Sequence, residues 1–167
     1  MDIFVVKISE AENVGMELLK KFQKKEISDS EALVRHCFSY LMVDKILKEV
    51  YKFEDREVVF NGKKPVLKNG QKSFSISHSK DFIALAFSDF NCGVDIEKVL
   101  PRDFEKIAHR MRFRIFSLKE FYQAWTKFEA EYKLAEEVKC SKFFELDDYM
   151  ITAVSSNLDE SFNLYYG

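Results

Sequence analysis

Glycine and proline are scarce, at 5 and 2 of 167 residues. Average usage of about 7% glycine would give roughly 12. The few glycines do not cluster, and neither G-x-x-x-x-G-K-[ST] nor G-x-G-x-x-G occurs. The common glycine-rich phosphate cradles are therefore excluded, and any phosphate must be met by side chains or a metal ion. The three cysteines, Cys37, Cys92 and Cys140, are odd in number and form no C-x-x-C. That argues against a disulfide framework or a zinc site and suits the cytoplasm. No apolar run approaches the roughly 18 residues of a membrane span. The N-terminus, MDIFVVKISE, lacks a basic region and a cleavage site and reads as a first strand. With 26 Lys+Arg against 28 Asp+Glu the net charge is −2. That balance lacks the basic excess of a dedicated nucleic-acid binder. Neither a nucleic acid nor a membrane is expected as a partner.

What the chain has in quantity is apolar mass: 47% of residues, with 17 phenylalanines. Such a chain folds around a core, and at roughly 150 residues per domain it predicts one domain. Residues 3–8 read as a strand. Residues 10–25 carry Val14, Leu18 and Phe22 one turn apart, as in a helix. Ser28 and Glu31 have capping-box spacing and open a helix to about Tyr51. Short strands follow at 57–60, 73–77, 82–87 and 92–96, with turns at Asn61-Gly62 and Asn69-Gly70. Asp103 is a predicted N-cap for a helix to about Phe113, and Ser117 with Glu120 opens another over 118–136. Strands at 149–154 and 162–166 close the chain. The order indicates an α+β fold with mostly antiparallel sheets.

Four groups of residues could carry chemistry. Asp95 and Glu97 lie two apart on a strand and share a face, as two ligands of a hard divalent cation would. Taken alone, such a pair is far more often two solvated acids at a strand end. Trp125, Glu129 and Lys133 fall along one edge of a helix, where Glu129 and Lys133 alone would be an ordinary i,i+4 pair. Ser77, His78 and Ser79 at a strand end could meet a phosphate, although a lone histidine is more often structural. No acid at triad spacing supports a Ser–His hydrolase. His36 and His109 carry no signal. Arg102, Lys106 and Arg110, with Arg112 and Arg114, form either a solvated face or a docking surface for an acidic partner.

In order, the chain reads Gly62-Lys-Lys-Pro65, Phe74-Ser-Ile-Ser-His-Ser79, Gly93-Val-Asp-Ile-Glu-Lys98 and Trp125-Thr-Lys-Phe-Glu-Ala-Glu-Tyr-Lys133. This series resembles the 4′-phosphopantetheinyl transferases of the larger, pseudo-dimeric kind, the surfactin-synthetase-activating type, over about residues 60–134. The resemblance implies two similar α+β lobes, about 1–70 and 71–167, meeting at a coenzyme A cleft in one monomeric unit. It implies a magnesium-dependent holo-acyl-carrier-protein synthase activity. In that activity 4′-phosphopantetheine passes from coenzyme A to a serine of an apo acyl or peptidyl carrier protein, leaving 3′,5′-ADP. Asp95, Glu97 and Glu129 would match the magnesium ligands. Ser77 and His78 would match contacts to the phosphates of coenzyme A, and Lys63 or Lys64 with Pro65 the segment beside the adenine. Lys133 would match the lysine that stabilises the leaving group, and Glu129 or a metal-bound water would be the base. Arg110 and Arg112 are the expected docking residues for the carrier. The N-terminal half offers only Arg35 as a candidate 3′-phosphate contact.

The chain also departs from the family. Phe128 stands where a lysine is usual, Ser75 replaces an asparagine, and Gly62-Lys63-Lys64-Pro65 is one residue longer than G-K-P. The segment between Phe113 and Trp125 is short, and Leu134-Ala-Glu-Glu replaces a glycine-rich stretch. Two other readings therefore stand beside the transferase. One is a diverged protein that binds coenzyme A or the carrier with little turnover, and the other is a magnesium-dependent phosphodiesterase.

Overall fold

Period-two alternation gives the first strand, β1 (Asp2–Lys7), two apolar faces: Ile3 and Val5 on one, Phe4 and Val6 on the other. The computed structural model describes residues 1–115 and 117–167. After β1 come helices α1 (Met16–Lys20) and α2 (Ser30–Glu49), then strands β2 (Val58–Asn61), β3 (Lys64–Leu67), β4 (Ser73–Ser79), β5 (Phe82–Ser88) and β6 (Cys92–Lys98). Helices α3 (Glu105–Met111) and α4 (Leu118–Leu134) and strands β7 (Cys140–Leu146), β8 (Tyr149–Ser155) and β9 (Asn163–Tyr166) complete the order. The result is a mixed α+β fold.

Among the described residues there are three sheets, ordered β4-β5-β1-β9, β2-β3 and β6-β8-β7. Every pairing is antiparallel except β1 with β9. The first sheet takes strands from both sides of residue 70. All seven residues of β5 are buried, because both faces of its sheet are covered. Ile83, Leu85 and Phe87 face a core with Phe38, Val43 and Leu47 of α2. The small Ala84 and Ala86, with Ile3 and Val5, face Val94 and Ile96 of β6 and Ile151 and Ala153 of β8. On the far side of that second sheet, Phe121 and Tyr122 of α4 pack with Met150, and Ala130 and Leu134 with Val154. The layers therefore run α2, sheet, sheet, α4.

Local signals account for most element ends. Ser117 and Glu120 form the expected capping box, and Gly62 and Gly70 take the positive φ of their turns, 61° and 66°. The expected helix over 10–25 is instead a short 3-10 turn (Ile8–Asn13) and α1, separated at Gly15, whose backbone is extended. Asp29, not Ser28, caps α2, accepting the Ala32 amide at 2.6 Å. Asp103 does not cap α3, which starts two residues later; it lies 3.5 Å from Lys106 instead. Residue 116, within the short 113–125 segment, lies outside the described residues. No helix among the described residues is long and apolar enough to cross a membrane.

Candidate functional site

The site begins at the seam between the two large sheets, where β4 and β6 run side by side. Strand β4 alternates Ser73, Ser75, Ser77 and Ser79 with Phe74, Ile76 and His78. Phe74 and Ile76 enter the core under α2, and the serines turn to β6. Ser75 Oγ accepts the Val94 amide at 3.1 Å, Ser77 Oγ donates to Asp95 Oδ1 at 2.6 Å, and Ser79 Oγ donates to Glu97 Oε2 at 2.8 Å. Ser79 Oγ also accepts the Lys98 amide at 3.1 Å. These hydroxyls satisfy what a neighbouring backbone would have satisfied in a continuous sheet. They also fix both acids.

Helix α4 closes the other side of β6 at close quarters. A Cβ on Gly93 would stand 2.0 Å from Ala130 O and 3.0 Å from Leu134 N, so only glycine admits the helix this near. The helix runs antiparallel to the strand. Lys133 Nζ reaches Asp95 Oδ1 at 2.7 Å and Val94 O at 3.1 Å, while Trp125, two turns earlier on the helix, lies near Glu97. Glu129 lies one turn from each on the same helix edge and so falls between them. Thr126 Oγ1 and Thr152 Oγ1 share a buried hydrogen bond of 2.6 Å that pins the helix to β8.

Asp95 is only 4% exposed. Its Oδ1 takes both Ser77 and Lys133, yet Oδ2 has no hydrogen-bond partner among the described residues. An unpaired buried carboxylate oxygen costs about 1–3 kcal/mol. Burial pushes the Glu97 carboxyl above the usual glutamate range, and the Asp95 charge adds to this, while the Ser79 hydroxyl opposes it. Oxygen donors with one lone pair waiting suit a hard divalent ion. Among the described residues, no three His, Cys, Asp or Glu side chains already converge to metal-binding distance.

Beside this acidic edge opens a cleft of about 660 Å³, of the size that takes a nucleotide-like molecule. Lys25, Arg35, Lys63, Lys64 and Lys133 line it, with His36 and His78, and among the described residues no carboxylate does. Lys64 Nζ also donates to Leu134 O at 3.1 Å, tying the β2–β3 hairpin to the end of α4. Burial, then the charges of Arg35 and Lys133, hold the His78 imidazole below its usual value. Tyr40, also on the wall, is pushed up to about 12 by burial and stays a donor.

Of the residues singled out in the sequence, Asp95, Glu97, Ser77 and Lys133 are brought together. Lys63, Lys64, Pro65, His78 and Lys133 share the cleft. Ser77 is buried and serves Asp95, while its neighbour Ser75 lines the cleft. Arg110 and Arg112 are exposed around the end of α3 and do not line the cleft. Phe128 is 38% exposed and packs edge-on against Phe113, with ring centroids 6.3 Å apart. Sequence reasoning missed Lys25, His36, Tyr40 and the serine seam. The alternating serines were a readable signal for the seam, but nothing local marks the cleft residues of α2. The chain matches no protein-family model and no curated protein.

Proposed function

We propose that the chain is a 4′-phosphopantetheinyl transferase, moving the 4′-phosphopantetheine of coenzyme A to a serine hydroxyl of an apo acyl or peptidyl carrier protein. One juxtaposition carries the reading. Among the described residues, a cleft lined by five lysine and arginine side chains and no carboxylate borders a buried Asp95 whose Oδ2 has no partner. A nucleotide diphosphate ester bound with a hard cation needs both halves. Two helix-backed sheets, face to face and joined at the β4–β6 seam, support reading the fold as two similar lobes about a pseudo-twofold axis. One chain, a cytoplasmic monomer, then carries the whole cleft.

In this reading Lys25, Arg35, Lys63 and Lys64 take the phosphates of the nucleotide end. Asp95, Glu97 and Glu129 would hold magnesium, which when bound neutralises charge on the diphosphate. Glu129 accepts the proton of the attacking serine hydroxyl. The serine oxygen bonds to the β-phosphorus as the bond from that phosphorus to the oxygen of 3′,5′-ADP breaks. Lys133, released toward the cleft it lines, stabilises the departing charge. The exposed Arg110 and Arg112 offer a face to an acidic carrier.

Phe128 in place of a lysine, and three carboxylates that are not already converged, favour a second reading: coenzyme A binding with little turnover. One assay separates the two. The protein is incubated with apo carrier protein, coenzyme A and magnesium, and the carrier is weighed intact. Addition of one phosphopantetheine, abolished by EDTA and by Glu129→Ala, is the expected result. Coenzyme A binding without addition supports the second reading, and neither binding nor addition removes both.

A further inference from the structure

The segment joining α1 to α2 supplies Lys25 and Ile27 to the cleft, yet it is held there by very little. It is anchored at its start by the Gln23 amide on Lys20 O at 3.1 Å, and at its end by the Asp29 cap. Between those points, among the described residues, Lys25 O accepts from the adjacent Gln23 Nε2 at 2.9 Å, and a single hydrogen bond ties residues 24–28 to a separate element. The Lys24 amide donates to His36 Nε2 at 3.1 Å. The His36 ring is itself steadied by an edge contact with Tyr40 one turn along α2, with centroids 5.0 Å apart.

We propose that His36 is a positioning residue: its neutral ring, by accepting the Lys24 amide, holds the 24–28 segment as a wall of the cleft, and its protonation releases that wall. An imidazole nitrogen accepts only while unprotonated, so this bond places the ring proton on Nδ1. A second proton would turn Nε2 into a donor facing a donor. The surroundings keep the ring neutral. Lys24 and Lys25 of the segment, Arg35 on the same helix, Lys63 and Lys64 of the hairpin, His78 of β4 and Lys133 of α4 surround it or line its cleft. Among the described residues, no carboxylate lines that cleft. Burial first, then Lys25 and Lys24, set the imidazole below its usual value. At neutral pH the wall is in place, and it is lost on acidification.

Amide hydrogen exchange of the free protein tests the latch without reference to any substrate. Protection of the Lys24 amide, corrected for intrinsic exchange, should fall about tenfold or more between about pH 7.5 and about pH 5. His36→Gln keeps an acceptor that does not titrate and should hold protection across that range. His36→Phe keeps the ring volume without the acceptor and should lose protection throughout. For the cleft, which rests on the transferase reading, 3′,5′-ADP should bind several-fold more weakly to His36→Phe at neutral pH, and nearly as wild type to His36→Gln. Full Lys24 protection in His36→Phe would overturn the proposal. So would acid-independent protection in the wild type, or 3′,5′-ADP binding that tightens on acidification only when His36 is present. The expected exchange pattern with no 3′,5′-ADP binding to any variant would support the latch and refute the transferase reading.

Discussion

Replacing Gly93 with alanine tests the contact on which the site is built. No positive φ demands glycine here, so the penalty is steric. The added Cβ would lie 2.0 Å from Ala130 O, where ordinary contact starts at 3.4 Å. The atoms it meets belong to the helix backbone and cannot rotate away. Helix α4 must therefore retreat from β6 by about 1.4 Å, the difference between those two distances. The Lys133–Asp95 contact, now 2.7 Å, would open beyond hydrogen-bonding reach. Overpacking of this kind costs about 1–3 kcal/mol. Loss of a charged hydrogen bond to a buried acid adds about 1.5–3 kcal/mol, toward the low end because the Lys133 side chain is 28% exposed. The sum, about 3–5 kcal/mol, is a large share of the stability of a single domain. With a urea slope of about 2 kcal/mol per molar, the midpoint should fall by about 1.5–2.5 M. Trp125, the one tryptophan in the chain, lies on the same helix, packed with Phe121 and Met150, and reports the transition by fluorescence. Ala130→Gly added to Gly93→Ala should not restore stability, because the clash is with a backbone oxygen. A Gly93→Ala midpoint equal to wild type, or rescue by Ala130→Gly, would refute the reasoning.

Four further outcomes are expected. Ala135 ends α4 at φ 59°, a left-handed position that disfavours a Cβ, so Ala135→Gly should stabilise the fold by up to about 1 kcal/mol in the same urea measurement. The raised Glu97 carboxyl lets the folded state hold a proton that the unfolded chain releases, so its contribution is greatest below the usual value of 4.5 and is lost as pH rises through the folded value. Thermal melts of Glu97→Gln should accordingly gain on wild type as pH is raised through that window, and magnesium should reverse the gain. Phe128→Lys should lose about 1 kcal/mol of aromatic packing against Phe113 and Trp125 and, if the proposed transferase reading holds, raise turnover, an opposition that melts and the mass assay read together. On the proposed transferase reading, Arg110→Glu with Arg112→Glu should raise the KM for the carrier and leave that for coenzyme A unchanged, since both side chains are exposed and neither lines the cleft.

Elements whose neighbours in sequence decide them were the readable ones. The capping box at Ser117, the Asn-Gly turns, and β5 with its unbroken apolar run needed nothing beyond local sterics and burial. Strand β7 was not foreseen. It is an edge strand with Lys142 and Glu145 in it, and only its pairing with β8 makes it a strand. The helix over 10–25 failed for the converse reason: an apolar repeat is no defence against an extended Gly15. Within the site, Asp95, Glu97, Glu129 and Lys133 could be singled out because strand and helix periods place them on shared faces. Lys25, His36 and Tyr40 could not, because they come from α2 and the segment before it, and share a cleft with residues far along the chain.

By itself, the amino-acid order determined which residue types alternate on which face, where α4 and the turns at Gly62 and Gly70 begin, and that any phosphate chemistry would have no glycine-rich loop to use. Those are short-range matters, governed by backbone sterics and by periods of 2 and about 3.6 residues. Tertiary structure alone decided that the four serines of β4 would meet β6 and, among the described residues, that Asp95 Oδ2 would be buried without a partner and that five cations would border one cleft with no acid among them. These depend on how two sheets and two helices stack. Packing of that kind is cooperative and long-range, and no window of sequence contains it.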